Sequence, residues 1–238
     1  MKISFDKIIK KIDIDFLKLV AIITMTLDHF SFIVLNDSTE FGTRIGRLAY
    51  PLFLIILTIN FHYNSKDINK YIKRIFQLAI ISQPFSFFAF SDFYRFNILF
   101  SLGLTLLIFK ISKPFLERSV LNFISIICGF FTIYFIQLKI GLPYYFEYHY
   151  YGLMLGVSIY CSLLYKNLVF LILSMPLLFL INFNNDDFNM IMILLPIVIL
   201  ISMMTDNRFK FIRKYKLFFY LFYPSHLLLI KLVQIISN

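Results

Sequence analysis

Charge is scarce in this chain. Only 15% of its 238 residues are Asp, Glu, Lys or Arg, against 60% hydrophobic, and the mean hydropathy is +0.80. A soluble domain of this size needs a polar surface that such a composition cannot supply. The few charges cluster between long apolar stretches, the pattern of a polytopic membrane protein. No polar segment is long enough to form a separate soluble domain. Cysteine is nearly missing too: Cys128 and Cys161 both lie in apolar runs, which argues against a disulfide framework and makes them small packing residues. With 7 glycines there is no Gly-rich phosphate loop, and there is no Ser elbow or nucleic-acid module. The 4 histidines show no His-x-x-x-His or comparable spacing, so no metal site is expected. The N-terminal 18 residues are charged and mixed and carry no small-residue cleavage site, so a removable signal peptide is not expected. Trp is absent while Phe, Ile, Asn and Lys are heavily used, a genome composition bias without functional content.

What is present is a series of apolar runs. Nine spans are predicted, near 17–35, 44–61, 74–90, 97–109, 119–138, 150–164, 168–182, 188–204 and 217–236. The fourth and sixth are short for a hydrocarbon core of about 30 Å, so the count ranges from eight to ten. With the N-terminus inside, 18 of the 23 Lys and Arg residues fall on the cytoplasmic side and 5 on the other. The basic excess, formally +10, thus encodes orientation rather than nucleic-acid binding. The acidic loop Asn184-Asn185-Asp186-Asp187 falls outside. No internal repeat is evident, which disfavours an inverted-repeat transporter. The expected fold is an all-α polytopic integral membrane helix bundle, one domain over residues 1–238, with a cytoplasmic N-terminus.

Polar residues inside such spans call for explanation. Asp28 and His29 sit together in the first, where a charged Asp costs roughly 2.5–3.5 kcal/mol on insertion scales. Adjacent helical residues diverge by about 100°, so Asp28 cannot orient His29 as a simple dyad, and each needs a partner from another helix. Thr24, one turn earlier, has the backbone or the carboxylate within reach. Arg47 stands in the string Arg44-Ile45-Gly46-Arg47-Leu48-Ala49-Tyr50-Pro51, where Gly46 permits close approach of a neighbour and Pro51 frees a carbonyl. It is the natural partner for Asp28, the alternative being that it snorkels to the outer headgroups. Gln83 in the third span is either a substrate contact or interhelical glue. Asn97 at the start of the fourth is either a helix cap or a cavity residue. Glu147 and His149 lie in a Tyr-rich stretch that reads as an interfacial aromatic belt. His226 falls near the midplane of the last span, at the depth of His29, with Pro224 opening the local backbone. Two histidines at matching depth point to a shared polar cavity.

The string from Leu17 to His29 resembles the first helix of the TraX family, the pilin acetylation proteins of conjugative systems. The Arg47–Pro51 string, Ile81-Ser82-Gln83-Pro84-Phe85, Asn97–Leu102 and Phe222-Tyr223-Pro224-Ser225-His226-Leu227 resemble its later motifs in the same order, over nearly the whole chain. The resemblance implies an integral membrane acetyltransferase of the bacterial cytoplasmic (inner) membrane, surrounded by membrane lipid. It would take acetyl from acetyl-CoA to an amine or hydroxyl acceptor, a pilin-like protein or an envelope glycan. Under it His29 is the general base or transient acetyl carrier. Asp28 with Arg47 shapes the cavity's charge, and Gln83, Asn97 and His226 donate to the oxyanion. Lys70, Lys73 and Arg74 hold the coenzyme's phosphates. The chain departs from the family pattern at Ile59-Asn60-Phe61, where Glu-Gly-Phe is usual. It also lacks an aligned acid near the sixth helix, where Glu147 is the candidate substrate-binding carboxylate; both departures bear on the acceptor. Two other readings stay open: a proton-coupled transporter or flippase with Asp28, His29 and His226 as a proton relay, and a non-catalytic assembly factor.

Overall fold

A computed structural model of the protein describes residues 5–35, 41–64, 66–93, 95–140, 149–181, 185–205, 209 and 216–237. Among the described residues the chain is all-helical, with no strand. That is the expected solution for apolar segments, whose backbone groups must be satisfied without water. In order the helices are Phe5–Ile9 (α1), Ile14–Ile33 (α2), Phe41–Gly46 (α3), Ala49–Ile59 (α4, continued by a π-helical turn Asn60–Asn64), Ile68–Phe90 (α5), Ile98–Leu116 (α6), Leu121–Ile140 (α7), His149–Leu164 (α8), Val169–Ile172 (α9), Met175–Ile181 (α10), Asn185–Met204 (α11) and Lys216–Ser237 (α12). Among the described residues four stretches are long and apolar enough to cross a membrane: Ile14–Ile33, Arg44–Asn64, Ile98–Leu116 and Tyr220–Ser237. Shorter apolar helices accompany them, and the chain is a membrane protein.

Each predicted span overlaps a helix, and the differences have local causes. The fourth, expected to end at residue 109, continues as α6 to Leu116, because Lys110 and Lys113 sit in its last turns without stopping it. The second is interrupted at Arg47-Leu48, four residues before Pro51, whose missing N–H leaves the Arg47 carbonyl without its helical partner. The seventh breaks at Leu173-Ser174, where Pro176 does the same to Ile172.

The chain divides into two compact units. The first comprises Met1–Ile56, Ile81–Phe93 and Asn182–Asn238. Within it α2 packs against α3, α11 and α12. Its N-terminus is fixed by Asp13, a fully buried carboxylate that accepts from the Asp15 and Phe16 amides at 3.0 and 3.1 Å. Its other oxygen accepts from the Thr205 hydroxyl at 3.1 Å, and the Asp13 amide donates to the Ser202 carbonyl, so the cap also ties α2 to the end of α11. Ile22, Met25, His29 and Ile33 recur at three- and four-residue spacing and are buried. Ile23, Leu27 and Phe30 form an exposed apolar stripe on another face, suited to lipid. Helix α3 sits very close to α2. A Cβ on Gly42 would collide with Ser31 Oγ, and one on Gly46 would lie 2.6 Å from Asp28 Cγ and 2.8 Å from Asp28 Cα.

The second unit comprises Leu57–Ile80 and Tyr94–Ile181 and is organised around α8, buried continuously over residues 152–163. Helices α6, α7, α9 and α10 and the π turn pack on it. Phe109 and Tyr160 stack at 4.8 Å, and Phe61 from the π turn meets each edge-on at 5.4 Å. The Tyr165 hydroxyl donates to the Leu116 carbonyl, tying the ends of α8 and α6.

Candidate functional site

The site grows from the buried stripe of α2. His29 faces α12, and its Nδ1 lies 2.9 Å from Nε2 of His226. The two imidazoles lie nearly parallel, with centroids 5.1 Å apart. On its other side His226 Nδ1 donates to the Phe222 carbonyl at 2.9 Å, one turn earlier on α12. Phe222 stacks on His226 at 4.9 Å, Tyr223 meets it edge-on, and Phe90 from α5 meets the His29 ring edge-on at 5.2 Å. Both histidines are buried.

With both rings neutral, this chain of contacts fixes where the protons are. A carbonyl oxygen only accepts, so His226 Nδ1 carries its ring's proton, and with that ring neutral its Nε2 is an acceptor. His29 Nδ1 must then donate, and the lone pair of a neutral His29 is left on Nε2. The result is a hydrogen-bonded line from a backbone carbonyl through two imidazoles to one basic nitrogen in an aromatic-lined interior. An imidazole nitrogen so prepared can remove a proton from an amine or hydroxyl, or attack a carbonyl.

Asp28 turns to a different neighbour. It lies under Gly46, at the point where α3 ends and Arg47 begins the break before α4. The Arg47 guanidinium is near enough for its charge to act on His29. Helical divergence therefore separates the adjacent pair as the sequence requires, Asp28 to α3 and His29 to α12. Thr24 donates to the backbone carbonyls of Val20 and Ala21.

His226 does not suit the oxyanion-donor role expected of it, since its Nδ1–H goes to Phe222 and its Nε2 meets His29. Asn97 is a helix cap: Oδ1 accepts from the Leu99 amide at 3.0 Å and Nδ2 donates to the Ala79 carbonyl at 2.9 Å. Its carboxamide is engaged at both ends within the second unit, which leaves the oxyanion role expected of it without support. Gln83 is buried on α5, on the same face as Ser86 and Phe90 by three- and four-residue spacing. Lys70, Lys73 and Arg74 are exposed on one face of the first turns of α5. Glu147 lies outside the described residues. Among the described residues no group of three His, Cys, Asp or Glu side chains is placed to hold a metal.

Sequence reading missed three contributors. Asp13, which anchors the start of α2, had a legible signal as an acid directly before an apolar helix. Gly42 forms a Gly-x-x-x-Gly pair with Gly46, also legible. Phe90, the aromatic wall beside His29, had none, because one more Phe in an apolar run carries no mark.

Comparison with known proteins gives the chain its relatives. Over 72 residues it is 38% identical to a protein of Dichelobacter nodosus described as "Probable fimbrial assembly protein FimC, serogroup H1". That match covers 29% of each protein, so the chain spans well under half the length of this curated relative. No solved structure matches. The family model described as "TraX protein" matches residues 13–234, from the α2 cap to near the end of α12, and the chain belongs to the TraX family.

Proposed function

We propose that the protein is an integral membrane acetyltransferase of the bacterial cytoplasmic membrane, taking acetyl from acetyl-CoA to an amine or hydroxyl acceptor. The observation that carries this reading is the line of 2.9 Å contacts from His29 Nδ1 to His226 Nε2 and from His226 Nδ1 to the Phe222 carbonyl, which with both rings neutral leaves the lone pair on His29 Nε2. In the proposed reaction Nε2 takes the acceptor's proton as its nitrogen or oxygen attacks the thioester carbonyl, and coenzyme A leaves as the thiol. General-base help of this kind contributes about 10²–10⁴-fold. Asp28 and Arg47 set the local charge, and buried Gln83 is the remaining proposed oxyanion donor. The exposed face of Lys70, Lys73 and Arg74 offers three cations to the coenzyme's phosphates. The fimbrial assembly protein among the relatives favours a pilin-like polypeptide over a glycan as acceptor.

The test is purified protein in lipid with radiolabelled acetyl-CoA and a candidate pilin peptide. Acceptor labelling with release of coenzyme A is expected for the wild type. His29→Ala is expected to lose about 10²-fold or more in turnover while inserting and expressing normally. Near-wild-type turnover in that variant refutes the assignment. Substrate uptake into vesicles without coenzyme release would favour the transporter reading instead.

A further inference from the structure

We infer that His226 is a positioning residue for His29: it holds the proton on His29 Nδ1 at rest and receives it during transfer. The inference rests on reading His29 as the base. It stands on two 2.9 Å contacts, His29 Nδ1 to His226 Nε2 and His226 Nδ1 to the Phe222 carbonyl, between buried, nearly parallel rings. An isolated neutral imidazole divides its proton between two nitrogens. Here the acceptor at His226 Nε2 favours protonated Nδ1 on His29 and keeps Nε2 as the lone pair, as second partners do for other working histidines.

When His29 Nε2 gains the acceptor's proton, the ring becomes cationic beside Arg47, whose charge already acts on it. The Nδ1–H bond of His29 can then break as an N–H bond forms at His226 Nε2. His29 is then neutral, protonated on Nε2, and the positive charge rests on His226 until the departing thiolate takes the Nε2 proton and the shared proton returns to His29 Nδ1. The Nδ1–H of His226 stays on the Phe222 carbonyl, an acceptor that tolerates both states of the ring. Among the described residues the Arg47 charge acts on His29 and Asp28 is its neighbour on α2; α5 presents the Phe90 ring to His29, and α12 supplies Phe222 and Tyr223 around His226.

The full chain has only 4 histidines, so nitrogen-15 solid-state spectra of histidine-labelled protein in lipid are tractable. The expected spectrum shows His29 protonated on Nδ1, bare on Nε2, and coupled through the hydrogen bond to His226. His226→Phe should abolish the coupling, populate the other tautomer, and lower kcat by about 10²-fold with little change in KM. His226→Gln keeps an acceptor where Nε2 stood but cannot take a proton. It should preserve the resting tautomer and the KM, yet stay roughly tenfold or more below wild type in kcat. His29 protonated on Nε2 in the resting wild type, or a kcat for His226→Phe within about twofold of wild type, overturns the positioning role. Full kcat in His226→Gln overturns the proton-receiving half. A wild type with the expected tautomer that releases no coenzyme A overturns the acetyl-transfer reading and supports the positioning role.

Discussion

Two glycines in helices should respond to the same substitution with opposite signs. Neither Gly46, the last residue of α3, nor Gly129, in the middle of α7, has a left-handed backbone. Neither is therefore glycine for conformational reasons, and helix propensity favours Ala at both by about 0.5–1 kcal/mol. Space separates them. A methyl group on Gly129 meets nothing within 4 Å, so Gly129→Ala should stabilise by that full amount. A methyl group on Gly46 would lie 2.8 Å from Asp28 Cα, a backbone atom that cannot swing away. Overpacking of this kind costs about 1–3 kcal/mol, which exceeds the propensity gain. Gly46→Ala should therefore destabilise by about 1–2 kcal/mol, leaving the variants roughly 1.5–3 kcal/mol apart. The assay is denaturant unfolding of the full-length protein in one detergent, followed by circular dichroism, with wild type and both variants in parallel. Because Gly46 abuts Asp28 and precedes Arg47, Gly46→Ala should also reduce turnover where Gly129→Ala does not. A Gly46→Ala protein as stable as Gly129→Ala would refute the close approach of α3 to Asp28.

Asp13→Ala removes the acceptor for two amides of α2 and for Thr205, and should cost about 1–2 kcal/mol through the cap alone. Asp13→Asn keeps a cap oxygen and should recover most of the loss in thermal unfolding. Ser91, just past the end of α5, sits at φ 56°, where a Cβ is disfavoured. Ser91→Gly should therefore raise stability by roughly 1 kcal/mol in the same measurement, and no change would mean that the turn relaxes.

Helix placement was legible because hydropathy and length specify it with little help from tertiary contacts. The end of α6 was not, because Lys110 and Lys113 read as the exit from the membrane. Long basic side chains can instead remain on the last turns of a helix and extend their charge to water, and α6 gains the length its apolar run lacked. The breaks before α4 and within residues 168–182 were written in Pro51 and Pro176, although prolines also occur inside α5, α6, α11 and α12 without ending them. Asn97 carried two readings, and its place directly before an apolar helix was the stronger clue. At the centre of the site, matching depth suggested that His29 and His226 share a cavity. Which nitrogens meet was beyond the sequence, because it depends on the Phe222 carbonyl, a group every residue possesses.

That carbonyl also bears on why the neighbouring Asp28 is not what orients His29. In many soluble enzymes a carboxylate performs this task, and its charge is tolerated because buried amides and water support it. In an apolar helix bundle a second full charge next to the proposed base has a large desolvation cost. A carbonyl offers the same acceptor geometry without net charge. The Phe222 oxygen receives both the His226 ring and the Ser225 hydroxyl, at 2.9 and 3.1 Å. Pro224 lies between Phe222 and His226 and withholds its own amide from the turn before, loosening the helix where the ring must fold back. On this argument a neutral carbonyl, together with a second imidazole, takes the orienting task in the first unit. The Asp28 carboxylate is turned by helical geometry toward Gly46 and the Arg47 break, away from the imidazole pair, which fits its proposed role of setting the local charge.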